Sequence, residues 1–207
     1  MKTKSLFFSM LLAVTAFTFL QCGGNKKEET QAEQAPATEQ EHASGSSAAA
    51  EAAEPLFAVH AQFQQQLAGV FKSYVTLKEA LVSADASTVS PAATATLVSV
   101  ENIEMKLLTG AAHNDWMNYK AGIESSLKAM VASTDIEEQR QSFSTLTDNL
   151  YKSIKAYGLG GVQAYYEFCP MAFDNQGGFW LSDAAEIRNP YFGDKMLTCG
   201  EVREKLK

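Results

Sequence analysis

Thiol and imidazole are scarce in this chain, whose 207 residues include three cysteines and three histidines. Chemistry that runs on a thiol or an imidazole therefore has few groups to draw on. No Cys-x-x-Cys pair, His-Glu-x-x-His helix or Gly-x-Ser-x-Gly elbow occurs, and Gly158-Leu-Gly-Gly161 lacks the spacing and the following Lys-Ser/Thr of a phosphate loop. Asp115 and Glu167 have no partner evident in sequence and read as a cap and a strand-surface residue, so no enzyme is expected. Lysine and arginine do not cluster, and acids outnumber bases 24 to 17, which argues against a nucleic-acid partner because phosphate neutralisation supplies most of such affinity. Only five prolines interrupt the chain, leaving room for long helices.

What is present begins with a targeting pattern. Lys2 and Lys4 precede an apolar run, Leu6 to Leu20, too short to span a bilayer with margin, and Gln21-Cys22-Gly23-Gly24 follows. Residues 1–21 read as a secretory signal. The segment resembles a lipobox with Cys22 as the lipidated thiol, although Gln21 stands where a small residue is usual. That resemblance implies an outer-membrane lipoprotein of the cell envelope. Residues 22–54 are nearly all Ala, Glu, Gln, Ser, Thr and Gly, a composition that cannot bury enough surface to offset ordering, and they read as a tether in which His42 is solvated.

From residue 55 apolar residues recur at helical spacing. His60, Phe63, Leu67, Val70, Tyr74, Leu77 and Leu81 mark one stripe. Ser90-Pro91 reads as the start of a second helix, with Leu97, Val100, Ile103 and Leu107 inward and Gly110 at its end. A third runs from about Asn114 to Ser133 along His113, Trp116, Lys120, Ile123, Leu127 and Met130. Thr134-Asp135-Ile136-Glu137 has capping-box spacing, opening a fourth helix to Tyr157 with Phe143, Leu146, Leu150 and Ile154 inward and Gly158 as C-cap. The fold class predicted is mainly α, an up-down four-helix bundle over residues 55–161. Residues 162–207 form a small tail packed on it: a strand from Val162 to Phe168, a return strand at Phe179-Trp180-Leu181, and a last short helix or turn around Leu197 to Leu206.

The tail holds two cysteines, each near a methionine: Cys169-Pro-Met171 and Met196-Leu-Thr-Cys199. With Cys22 assigned to lipid, Cys169 and Cys199 make an even pair in an oxidising compartment, which by count is a disulfide. Such a bridge stabilises by roughly 3–4 kcal/mol in the chain-entropy treatment. Against that, two thiolates and two thioethers form a soft donor set suited to Cu(I). A zinc site of Cys169, Cys199, His60 and His113 is conceivable, with zinc less favoured than copper. Bonded sulfurs about 2 Å apart distinguish a bridge. Sulfurs about 3.5–4.5 Å apart suit a shared metal.

AHNDW around His113, EQRQSF from Glu138 to Phe143, and then YYEFCPMA, WLS and EIRNPYFGDKMLTCGEV resemble a bacterial domain of unknown function, found alone in secreted proteins and fused behind periplasmic adaptors of heavy-metal efflux pumps. The resemblance covers about residues 56–205, and its specific part runs from Tyr165 to Val202. It implies a helical domain with a copper-associated tail, with Cys169, Met171, Met196 and Cys199 as metal positions, His60 and His113 as further candidates, and metal-efflux components as partners. The alternative expectation is a tethered interaction module, locked by a Cys169–Cys199 disulfide, that presents Trp180, Tyr191 and Phe192 to another protein.

Overall fold

The computed structural model describes residues 54–207. The expected secretory segment, Cys22 and His42 lie outside the described residues, as does the tether through residue 53.

Four long helices come first. The stripe that begins after His60 folds as α1, Ala61–Val82, and every stripe position from Phe63 to Leu81 is fully buried. The second helix, α2, is Ala86–Glu101, earlier at both ends than the spacing predicts. Asp85 is its cap, accepting from the Ser87 N–H at 3.0 Å and from the Ser87 hydroxyl at 2.6 Å. Pro91 therefore falls inside the helix, on its exposed side, rather than at its first position. The early stop also has a cause: Gln66 of α1 takes the Glu104 N–H at 3.0 Å, and Gln62 donates to the Glu104 carboxylate at 2.8 Å. Those side chains draw residues 102–107 out of the helix.

Gly110, with φ +58°, opens α3 (Gly110–Ala132) instead of closing α2. Trp116, Ile123, Leu127 and Met130 are buried on α3 as the stripe predicts, while Lys120 reaches Glu124 at the helix surface. The fourth helix, α4, spans Ile136–Tyr157 and ends at Gly158, φ +70°. Its cap is Asp135, not Thr134, with one carboxylate oxygen taking the Glu137 N–H at 2.7 Å and the Glu138 N–H at 3.1 Å. Asp135→Ala is expected to lower stability by about 1 kcal/mol. A urea midpoint for that variant within error of the parent's would contradict this capping role.

Each long helix packs on the next in sequence, and α1 also touches α4, giving a bundle-like helical body. A three-stranded antiparallel sheet follows, β1 (Ala164–Cys169), β2 (Gly178–Ser182) and β3 (Glu201–Leu206), in the order β2-β1-β3. The last segment is thus a strand and not the predicted helix or turn. Val202, Glu204 and Leu206 face the protein while Glu201, Arg203 and Lys205 face water, a period of two. Glu204 is held by the Tyr151 hydroxyl at 2.6 Å and by Lys155, both from α4.

The sheet has no core of its own. Tyr74 of α1 stacks on Phe143 of α4 at 5.0 Å, Phe143 meets Tyr191 edge-on, and Tyr191 in turn meets Trp180. The Tyr74 hydroxyl also accepts the Leu181 N–H at 3.1 Å. On the other face Tyr166 stacks between Tyr151 and Phe179. Helices and sheet share one continuous apolar interior.

Candidate functional site

The register of the sheet brings the sulfurs together. Cys169 is the last residue of β1, opposite Gly178, and the pairing of Phe168 with Glu201 sets the segment before β3 alongside it. Cys199 lies in that segment. Its Sγ is 2.7 Å from the Sγ of Cys169, and neither thiol is bridged. The pair is closer than a shared metal requires and farther apart than a covalent bond. The hydrogen bond to Cys169, followed by burial and the neighbouring charge, pushes the Cys199 thiol up to about 11.

Two features hold this arrangement. Asn189, fully buried, donates from Nδ2 to the Cys199 carbonyl at 2.8 Å and accepts the Tyr191 N–H on Oδ1 at 2.8 Å, while its own N–H goes to the Leu197 carbonyl. Gly200 supplies the second: a Cβ there would stand 2.7 Å from Trp180 Cη2 and 3.1 Å from the Phe168 carbonyl, so only glycine lets the strand close over the indole.

Met171 and Met196 are both exposed, and both line one open cavity of about 380 Å³ with Arg140, Phe173, Asn175 and Phe192. The turn beside them, Ala172–Asn175, puts Phe173, Asp174 and Asn175 at φ of 53°, 56° and 67°. Left-handed backbone costs about 1–2 kcal/mol per residue, less for Asp and Asn than for Phe. Packing of Phe173 edge-on against Tyr191 at 5.0 Å offsets part of that cost. Arg140 ties α4 to the same corner, donating from Nε to the Pro190 carbonyl at 3.0 Å.

The histidines are elsewhere. His60 is exposed at the start of α1, and His113 is half-buried in the first turn of α3, near the end where Trp116 meets Phe63 and Tyr157. The segment that leads to Cys199 is anchored at the other end of α1, where Arg188, next to Asn189, donates to Glu79 at 2.9 Å. At 1.5 Å per residue the intervening helix spans roughly 28 Å. The set Cys169, Cys199, His60 and His113 is therefore not assembled. Among the described residues no group of three or more His, Cys, Asp and Glu side chains is placed to hold a metal. Trp180 and Tyr191 are buried rather than presented, leaving Phe192, half-buried, from the three expected anchors.

Glu167 departs furthest from its expected surface role. It faces Trp180 across the sheet, is fully buried, and neither carboxylate oxygen has a hydrogen-bond partner. Burial raises it to about 8, against the opposing pull of the Lys78 charge. Asp115 is not a cap either; it lies in α3 beside the Tyr157 hydroxyl at 3.4 Å. Sequence reasoning also passed over Lys78 and Asn189. Lys78 sits directly after Leu77 in the α1 stripe, so its burial had a positional signal, whereas Asn189 gave only a turn signal.

Residues 70–160 match the family model described as a protein of unknown function, DUF3347. No curated protein and no solved structure matches the chain. The matched stretch runs from within α1 to just past α4, so it covers a domain of unknown function built from the helices and stops short of both tail cysteines.

Proposed function

We propose that this is a lipid-anchored envelope protein that binds a soft metal ion, Cu(I), as an accessory to copper handling or efflux. In this reading the long helices form an up-down bundle that carries the tail. The thiolates of Cys169 and Cys199 capture the ion, the thioether of Met171 or Met196 completes its shell, and the ion leaves by ligand exchange. The observation that carries the reading is the gathering of four sulfur residues at one corner, with two cysteines in contact and two methionines on one exposed cavity. Thiolates exclude Mg²⁺, and thioether donors favour Cu(I) over Zn²⁺, whose usual ligands are thiolate, imidazole and carboxylate. The two thiols fit with one adjustment: two metal–sulfur bonds of about 2.3 Å in a three-donor shell set their sulfurs about 4 Å apart, so the 2.7 Å pair opens by roughly 1.3 Å on binding. His60 and His113 take no part. The apolar run before Cys22 and the composition of residues 22–54 support the anchored, tethered placement.

Titration of the reduced protein with Cu(I) against a competing chelator is expected to give one tightly held ion per chain. Oxidation of the two thiols to a bridge is expected to release it. An ion retained equally by the oxidised protein would place the site elsewhere. The sulfur contact itself favours a second reading, an interaction module without metal whose tail is locked by the Cys169–Cys199 disulfide. Absence of Cu(I) binding by the reduced chain, together with a quantitative disulfide in protein isolated from the envelope, would favour it.

A further inference from the structure

Cys169 and Cys199 touch each other but do not meet the solvent equally. Cys169 is fully buried, at the end of the central strand and beneath the closing segment. Cys199 is partly exposed, in a short turn closed by its own N–H on the Met196 carbonyl at 3.0 Å, with Thr198 exposed beside it. A disulfide is cleaved by a thiolate approaching along the line of its two sulfurs, so which sulfur is attacked depends on access. Of the two residues, only Cys199 has surface in contact with solvent.

We infer that the oxidised pair is a reducible bridge of fixed polarity, opened by an external dithiol that attacks Cys199 and expels Cys169 as the leaving thiolate. In the first step the attacking thiolate forms a bond to Cys199 Sγ, the Cys169–Cys199 bond breaks, and its electron pair leaves on Cys169. In the second, the donor's other thiolate attacks the donor sulfur of the mixed disulfide and releases Cys199. The donor dithiol is oxidised to a disulfide, the bridge is reduced to two thiols, and the two protons lost by the donor are taken up by Cys169 and Cys199. The partner is thus a protein or small molecule carrying two neighbouring thiols, docking on the turn from Met196 to Gly200. This activity does not depend on copper and is tested without it.

The full chain, metal-free and oxidised, is treated with reduced glutathione, quenched with acid at short times and mapped by peptide mass, which separates any adduct on Cys22. Glutathione is expected on Cys199 with almost none on Cys169. In the reduced parent, iodoacetamide is expected to modify Cys199 about 100-fold faster than Cys169, whose modification waits on local opening of the sheet. Glutathione found on Cys169 as often as on Cys199, equal alkylation rates, or an oxidised chain with no Cys169–Cys199 bridge would each overturn the inference. A bridge that behaves as expected in a chain that binds no Cu(I) when reduced would leave this inference standing and remove the metal reading. The reverse result would do the opposite.

Discussion

Replacing Cys169 and Cys199 together by serine is expected to weaken Cu(I) binding by about 1,000-fold, equivalent to roughly 4 kcal/mol. The argument rests on charge and softness. Two thiolates more than neutralise a monovalent cation and share electron density with it, whereas serine offers neutral, hard oxygens that do not ionise near neutral pH. Met171 and Met196 remain in the variant, but thioethers carry no charge, so what they retain measures their share. Serine is nearly isosteric with cysteine, and the sulfurs form no bond that holds the fold in the reduced state. Circular dichroism of the variant is therefore expected to match that of the parent. Chelator competition is the measurement, and a variant within threefold of the parent would end the proposal that these sulfurs are the site.

The second large effect belongs to Glu167. Its carboxyl, raised to about 8 mainly by burial, binds its proton more tightly in the fold than in the unfolded chain, where its value is near 4.5. The resulting stabilisation is complete below about pH 4.5 and declines as the pH rises towards 8, because ionisation places an uncompensated charge beneath the sheet. Each unit of difference corresponds to about 1.4 kcal/mol. The pull of Lys78 is already contained in the value of about 8, and the loss between pH 5 and pH 8 is expected to be roughly 3 kcal/mol. Glu167→Gln should lack this slope. Urea unfolding of both proteins at several pH values tests it, and parallel declines in parent and variant would assign the pH dependence to other groups.

Much of the helical body was legible because its signals are local. The α1, α3 and α4 stripes are repeats of three and four, and the buried residues follow them closely. The helix starts were less legible. At α2 two cap signals competed: Asp85 with Ser87 prevailed over Ser90-Pro91, and the stop was imposed by Gln62 and Gln66 from another helix. In the tail, alternation located β1, and the Phe-Trp-Leu run located β2 within a residue or two. Alternation over Val202 to Leu206 was present as well, but its charged partners masked it. The site divides in the same way. The nearness of Cys169 and Cys199 was legible, because pairing two cysteines needs only that strands bring them close, but their 2.7 Å separation matches neither the bond of about 2 Å nor the metal-sharing gap of about 3.5–4.5 Å that the sequence left open. The remote position of His60 and His113 depends on which ends of α1 and α3 the tail meets, and the burial of Glu167 depends on Lys78 of α1 and Trp180 of β2 being brought to its side of the sheet. Neither is a property of any window of sequence.

The strand order β2-β1-β3 also has a consequence for the making of the protein. Thirty residues separate the two tail cysteines, and the strand that positions the second is the last of the three to be synthesised. Until residue 199 is added, Cys169 therefore has no partner in the tail, and Cys22 is the only other cysteine yet made. Lipid attached to Cys22 would remove that competitor before oxidation begins. In the lipid-anchored reading proposed above, acylation of Cys22 serves fidelity of pairing as well as attachment.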